Sequence, residues 1–452
     1  MIGAARLAEL FAGHGGPALL GFPTPLFNPL TSSSPLSPRE LLAGPFGLLA
    51  FLPLVPVVLL LARRWQRAAL IVGGLVWLLP TLGLPTTVVL LAGVAAGTAW
   101  ITLLGALRRR ERLGRRGMIA LVWLGLHALV LPLWWHGQPT WYPSRMAVLH
   151  NVGFAYFLLR LIAWGMEVAA NPQTPLRLRD TLCWLLYPPC MRLGPVLLRA
   201  DFLRRLDEWN ARHSPAWRLG ARRFGLMILG GVGLAAVGRH IPGVAPGGVD
   251  FFAAPEVYTT DLLLRVFYLV PIQIYLLLWT YNQLAMALSL WVGLPLDDNF
   301  HRLPLATSVR EFWHRWHITV GAWLRNYIYV PLGGSRRHTF LSTLAVFGYC
   351  GLWHGPGWSF PAWGLTQAVA LMVQRGWDRL LGRPRDHALL RPPTRESAAT
   401  RTRTIAWTGV CWLLTMHYQI ATLVVFADFQ YAGWRLLREL WWRRGLAPLL
   451  GG

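Results

Sequence analysis

Lysine is absent from this chain, and all 43 basic residues are arginine. A basic complement of one residue type reflects genomic base composition more readily than a demand for guanidinium at every position. Acidic residues are scarce as well, 19 against those 43, which leaves a net charge of +24. Only 14% of the 452 residues are charged, too few to cover the two or three polar-surfaced domains into which a water-soluble chain of this size would divide. The four cysteines, Cys183, Cys190, Cys350 and Cys411, lie in or beside apolar stretches and form no zinc-type CxxC pair. Disulfides are neither required nor excluded. Carboxylates and histidines nowhere cluster at ligand spacing, so no metal is expected. There is no internal repeat, and no basic segment leading into a short apolar core and cleavage site, so a cleaved signal peptide is not expected.

What fills the chain instead is apolar sequence: 54% of residues are hydrophobic and the mean hydropathy is +0.41. Uncharged runs of spanning length recur at Thr86 to Leu107, Met118 to Trp135 and Thr404 to Ala427. Val266 to Leu296 carries no charge over 31 residues, where a straight crossing needs roughly 20. A kink near Pro271, or a turn at Gly293 to Pro295, would absorb the excess. The arginines gather at the ends of these runs and form no basic face, so topology explains them and a nucleic-acid partner does not. Arg63, Arg64 and Arg67 follow the span that begins near Pro45, and Arg108 to Arg116 hold six arginines between the next two. By the positive-inside rule both loops are cytoplasmic. The turn near Leu84 and the loop Gly137 to Ser144 then fall outside. Phe22 to Arg39, with five prolines, reads as an extramembrane loop. Polar breaks are expected at Asn171 to Arg179, Asp201 to Arg223, His240 to Asp261 and Arg383 to Arg403. The tail from Tyr431 to Arg444 has the tryptophans and snorkelling arginines of an interfacial helix.

Titratable groups inside spans are costly and need partners. His127 and His417 stand alone and read as structural. Arg160 and Glu167, seven residues apart near one helical face, are expected to answer one another as an ion pair or to line a water-filled cavity. His354 is placed differently, in "FGYCGLWHGPGWSF" among glycines and tryptophans. Gly351, Gly355 and Gly357 allow close approach, while Pro356 and Pro361 are expected to break regular helix, which at membrane depth is tolerated only beside a cavity or within protein. A neutral imidazole there suits proton removal from a hydroxyl. Cys350, one helical turn earlier, reads as either a small packing residue or a thiol paired with that base.

A second cluster is "EFWHRWHITVGAWLRNYIYVPLGG", Glu311 to Gly334. On one helix, Trp313 and His317 would be i,i+4 neighbours and His314 would lie i,i+3 from His317, which places an aromatic wall and two imidazoles on one face. Arg310, Glu311 and Arg315 make the segment amphipathic. An interfacial anchor explains this composition until the intramembrane His354 is set beside it.

"DNFHRLPLATSVREFWHRWHITVGAWLRNYIYVPLGGSRR" (Asp298 to Arg337) and "GLWHGPGWSFPAWG" (Gly351 to Gly364) resemble the membrane-bound O-acyltransferase family. The resemblance is to its bacterial branch, which includes the alginate O-acetylation membrane subunit and the teichoic acid D-alanyl transfer protein. "YNQLAMALSLWVGLPLDDNF" (Tyr281 to Phe300) and "LCWLLYPPCMRLGPVLLRADF" (Leu182 to Phe202) extend it upstream. The resemblance implies an all-α polytopic membrane protein with about ten to twelve hydrophobic helices plus interfacial ones around a tunnel or funnel. It divides the chain into N-terminal spans (1–140), a catalytic core (141–430) and an interfacial C-terminal helix (431–452). It makes His354 the catalytic base and His317 the second signature polar residue, and His317 with Trp313 and Trp316 is expected to position the donor or stabilise the developing oxyanion. Trp313, Trp316 and Trp353 would line the substrate site, and Asn299, Arg315 and Asn326 would orient the phosphate-rich end of the donor. Asn326 stands where the family usually has aspartate, Glu167 where an aspartate is common, and His314 where arginine or asparagine is frequent. "VVFADF" lacks an arginine often seen after the phenylalanine.

The activity so implied is O-acyl transfer, of acetyl because the motifs lean toward the alginate-type subunit, from acetyl-CoA or an acyl-carrier protein in the cytoplasm. The acceptor would be a hydroxyl of an extracytoplasmic polysaccharide or of a partner transferase. No permanently bound cofactor is implied; the thioester is a co-substrate. The expected setting is the bacterial inner membrane, with the lipid bilayer and a separate extracytoplasmic acetyltransferase or polysaccharide machinery as partners. D-alanyl transfer to an envelope polymer, a proton-relaying transporter and a scaffold subunit remain open as alternatives.

Overall fold

The computed structural model describes residues 45–60, 63–82, 84–135, 154–191, 193–212, 216–241, 254–334, 337–354, 359–380, 382, 398–427 and 434–446. The loops expected at Phe22 to Arg39 and Gly137 to Ser144, and Gly355, Pro356 and Gly357, lie outside these residues. Every regular element among the described residues is helical, and the protein is an all-α, polytopic membrane protein. Among the described residues four helices are long and apolar enough to cross a bilayer: Thr87–Arg109, Trp217–Gly238, Thr260–Trp291 and Ile405–Ala427.

The chain divides into two compact units. The first comprises Met1–Val244 with Gln273–Asp298, the second Ala245–Ile272 with Asn299–Gly452. In the first unit the helices are α1 (Leu54–Leu60), α2 (Arg63–Leu82), α3 (Leu84–Arg109), α4 (Arg115–Trp135), α5 (Phe154–Ala170), α6 (Leu178–Leu185), α7 (Arg199–Arg212) and α8 (Trp217–Gly238), joined by the second half of α9 (Thr260–Trp291). Helices α3, α4 and α5 pack on one another, and the arginine-rich segment forms the tight α3–α4 turn. Arg109, Arg110, Arg112, Arg115 and Arg116 are exposed there, where a cytoplasmic loop would hold them in water or against headgroups.

Two expectations change, and one left between two alternatives is decided. Asp201 to Arg223 is not an irregular break: it supplies most of α7 and the first turns of α8. Two of its arginines are held by carboxylates of the segment after α9, Arg205 by Asp297 at 2.7 Å and Arg223 by Asp298 at 2.7 Å. The long apolar run ends in a turn at Gly293, whose φ of 79° suits glycine, while Pro271 sits inside continuous α9. Arg160 and Glu167 do not pair. Fully buried Arg160 donates to the carbonyls of Trp184 and Leu185 at the C-terminal end of α6 and lies 4.6 Å from the Trp184 ring centroid. The negative end of a helix and an aromatic face together stabilise a buried cation. Glu167 faces the field of Arg199 instead. His127 is hydrogen-bonded to the Trp123 carbonyl, with Nδ1 at 2.7 Å, and stacks on the Trp123 ring.

The second unit holds the first half of α9, then α10 (Val309–Arg315), α11 (Ile318–Leu324), a π-helical turn Arg325–Tyr329, α12 (Thr339–His354), α13 (Ser359–Leu380), α14 (Ala398–Ala427), α15 (Trp434–Leu437) and a π-helical tail Arg438–Leu446. In that tail Trp441 and Trp442 are exposed, as is Trp434, with the Arg438 guanidinium 4.9 Å from the Trp434 ring centroid. His417 lies among the rings of Phe267, Tyr268 and Trp441.

Helices α12 and α13 meet backbone to backbone. A Cβ at Gly351 would collide with the Phe360 carbonyl and lie 2.8 Å from Pro361 Cα, and one at Gly364 would collide with the Phe347 carbonyl. Pro361 does not break the helix, because it is the third residue of α13, where a missing N–H has no intrahelical partner to lose. Gly351→Ala is expected to lower stability by about 1–3 kcal/mol through overpacking. Gly348→Ala on the same helix, where a Cβ meets nothing within 4 Å, should instead be neutral or raise it by up to about 1 kcal/mol. Thermal unfolding of both variants in detergent checks the contrast.

Candidate active site

The helix that starts this site is capped by its own sequence. Ser308 Oγ accepts from the Glu311 N–H at 3.1 Å, and Glu311 Oε2 accepts from the Thr307 N–H and hydroxyl, each at 2.8 Å. This is the Ser-x-x-Glu capping arrangement shifted by one residue. Burial works against the Glu311 charge, but the Thr307 donors and the Arg315 guanidinium outweigh it and hold the carboxyl below the usual range. Arg315 also donates to the carbonyls of His301 and Arg302 at 3.3 and 3.1 Å.

The single helix expected through Trp313 and His317 does not form. Helix α10 ends at Arg315, and His317 takes a left-handed backbone (φ 44°, ψ 50°) before α11 begins. The cause is the segment Asn299 to Arg302, which takes up the backbone groups freed at the break. His301 N donates to the Arg315 carbonyl at 3.1 Å and Ile318 N to the Asn299 carbonyl at 3.0 Å. The fully buried Asn299 side chain accepts from Thr319 N at 3.0 Å and from Thr319 Oγ1 at 2.6 Å. Asn299 thus caps α11, and Arg315 fastens the loop to α10. A non-glycine residue in this conformation is held there by such surroundings.

The break leaves Trp316 with His317 and sends Trp313 into different company. His317 packs against Phe300 at 5.0 Å and Trp316 at 5.5 Å between ring centroids. Its Nδ1 is buried with no hydrogen-bond partner among the described residues. Burial pushes this imidazole down to about 4, so it is neutral near pH 7. Trp313 joins the His354 cluster instead: its Nε1 donates to Gln367 Oε1 at 3.2 Å, and its ring meets Phe347 at 4.9 Å and Trp363 at 5.8 Å.

His354 ends α12. Its ring lies 4.7 Å from Trp353, 6.0 Å from Phe360, 5.6 Å from Trp363 and 4.8 Å from Phe426. The structure therefore brings Trp313, Trp353 and His354 into one connected cluster, with Trp316, His317 and Asn299 around the α10–α11 break. Asn326 is exposed in the π-helical turn beside Arg325, and His314 is exposed on α10. Cys350 is buried on the face of α12 one turn before His354.

Sequence reasoning passed over the residues that hold this cluster. Fully buried Gln367 on α13 accepts from Trp313 and from Gln419 at 3.2 Å and donates to Thr422 Oγ1 at 2.9 Å. Gln419 and Thr422 are on α14, two turns and one turn before Phe426. Arg310 N donates to Gln374 Oε1 at 3.0 Å, and Arg310 pairs with Asp378 at 3.0 Å, so α10 is held along α13. The available signal was uncharged polar residues recurring on one helical face, Trp363 with Gln367 and Gln419 with Thr422 and Phe426. Among the described residues no group of three histidines, cysteines or carboxylates is placed to hold a metal ion.

The family model for membrane-bound O-acyltransferases matches residues 117–427. The chain is 29% identical over 236 residues to a probable alginate O-acetylase AlgI of Azotobacter vinelandii, covering 50% of this chain and 45% of that protein. It is 38% identical over 101 residues to a peptidoglycan O-acetyltransferase of Helicobacter pylori, covering 22% and 19%. To a teichoic acid D-alanyltransferase of Streptococcus thermophilus it is 20% identical over 334 residues, covering 67% and 72%. The chain spans about half the length, or less, of the first two relatives.

The depressed His317 value has a thermodynamic consequence. Between the ordinary histidine value of 6.5 and about 4, the unfolded chain binds a proton that the folded chain does not. His317 therefore contributes stability that is fully present above pH 6.5 and is lost as pH falls toward 4. Thermal unfolding in detergent across that window should show a decline that flattens in His317→Asn; an unchanged slope contradicts the burial of the ring.

Proposed function

The chain belongs to the membrane-bound O-acyltransferase family, and on that premise we propose that it transfers an acyl group, acetyl in the first instance, from a cytoplasmic thioester to an extracytoplasmic hydroxyl, with His354 as general base. The observation that carries this reading is the enclosure of His354 by Trp353, Phe360, Trp363 and Phe426 at the end of α12. An imidazole set among these aromatic rings is the group of the cluster that can take a proton from a hydroxyl. His354 takes the proton of the acceptor hydroxyl, and the oxygen attacks the thioester carbonyl carbon. The tetrahedral intermediate then expels the thiolate, which recovers the proton from the imidazolium. Trp313 and Trp316 flank the path to the donor, and neutral His317, with its unengaged Nδ1, offers the donor a hydrogen bond. Asn299 and Arg315 serve the site by fixing the α10–α11 break, and exposed Asn326 is the member of the trio available to a coenzyme or carrier phosphate.

Acetyl is supported by relatives named as an alginate O-acetylase and a peptidoglycan O-acetyltransferase. The acceptor class is a polysaccharide of the cell envelope, reached directly or through a partner transferase at the inner membrane. A second reading, D-alanyl transfer, is supported by similarity along 67% of the chain to a teichoic acid D-alanyltransferase.

The test is reconstitution of the full chain in proteoliposomes, with acetyl-labelled acetyl-CoA on one side and mannuronate and muramyl oligosaccharides on the other. Transfer of label to glycan is expected, with kcat about 10²- to 10⁴-fold lower in His354→Ala. If wild type transfers nothing, or the variant matches it, the enzyme reading fails.

A further inference from the structure

Two buried hydrogen-bond donors in the first turns of α13 lack partners among the described residues. Ser359 opens α13 and is 1% exposed, and Trp363, one turn on, is 4% exposed. Neither Ser359 Oγ nor Trp363 Nε1 has a hydrogen-bond partner among the described residues. A serine at a helix start ordinarily satisfies its hydroxyl on a nearby backbone group, and a buried indole N–H ordinarily finds an acceptor. Two unsatisfied donors at i and i+4, hence on one helical face, are therefore unusual. Their position adds to this. The Trp363 ring is 5.6 Å from the His354 ring and Phe360, between the two donors in sequence, is 6.0 Å from it. The face also belongs to the first turns of a 22-residue helix, where free backbone N–H groups and the positive end of the dipole favour negative charge.

We propose that Ser359 Oγ–H and Trp363 Nε1–H hold the carbonyl oxygen of the acyl donor and stabilise it as it becomes an oxyanion, with the thioester lying between the start of α13 and His354. This rests on the reading of His354 as base. As the acceptor oxygen gives its proton to His354 and bonds to the carbonyl carbon, the carbonyl π pair moves onto oxygen, where the two donors receive it. When the pair returns, the carbon–sulfur bond breaks, and the thiolate leaves with the proton from His354. The products are an ester and a free thiol. The same arrangement explains the composition around the base. The ring of Trp363 walls the imidazole while its N–H serves a different atom, so phenylalanine there would keep the wall and lose the donor.

The test uses the same proteoliposomes, acetyl-CoA and oligosaccharides, with Ser359→Ala, Trp363→Phe, Ser359→Thr and His354→Ala, each first shown to unfold thermally like wild type in detergent. Ser359→Ala and Trp363→Phe are each expected to lower kcat by about 10²- to 10³-fold with little change in KM for acetyl-CoA. Ser359→Thr, which keeps the hydroxyl, should retain activity to within about tenfold. A purely packing role would not separate kcat from KM or be rescued by threonine. If Ser359→Ala or Trp363→Phe keeps wild-type kcat while His354→Ala is inactive, the two-donor proposal is overturned and the base survives. If His354→Ala is itself active, the reading beneath it falls.

Discussion

Everything around His354 depends on the absence of two side chains. Gly351 and Gly364 let the backbones of α12 and α13 touch, Gly351 against Phe360 and Pro361, Gly364 against Phe347. That contact sets the end of α12 over the start of α13, and His354 is the residue at that end. With the helices a methyl group further apart, the imidazole would leave Phe360 and Trp363. The remaining contacts of the second unit extend from this seam. Gln367 lies one turn beyond Trp363 and ties α13 to Trp313 on α10 and to Gln419 and Thr422 on α14. In a lipid environment, where apolar burial between helices gains little, close small-residue contacts and buried polar bonds are what can hold such helices together.

The site divides into residues that hold and residues left available. Asn299, Arg315 and Glu311 have their hydrogen-bonding groups engaged in the α10–α11 break, and their charge or polarity is explained by that engagement. His317 Nδ1, Ser359 Oγ and Trp363 Nε1 are buried without such engagement among the described residues. A buried polar atom with no partner is costly, by about 1–3 kcal/mol, and is the kind of feature that a substrate's own polar atoms would satisfy.

How far the sequence disclosed this varied with the range of the interaction concerned. The apolar runs and the arginine clusters at their ends are local patterns, and they were legible; the Ser308 cap is local too but went unread. His354 stood out because a single imidazole interrupted an apolar segment rich in glycine. The break at His317 was not legible, because Trp313, His314 and His317 have perfect helical spacing and the break is made by Asn299, eighteen residues earlier. Arg160 was assigned to Glu167 by spacing along one helix, whereas its partners are carbonyls of α6 reached only in the fold. The buried glutamines failed to register for a related reason: an amide on a span gains its meaning from the helix opposite. Charge and apolarity are read along the chain, but hydrogen-bond partners are read across it.

The most direct measurement is an experimental structure of the full chain in a lipid nanodisc with a non-transferable acetyl-CoA analogue bound. The analogue's carbonyl carbon should lie beside His354, with its oxygen turned toward the first turn of α13. A carbonyl bound away from His354, with the Trp353, Phe360, Trp363 and Phe426 enclosure undisturbed and empty of the acyl group, would contradict the assignment of this cluster as the place where transfer occurs.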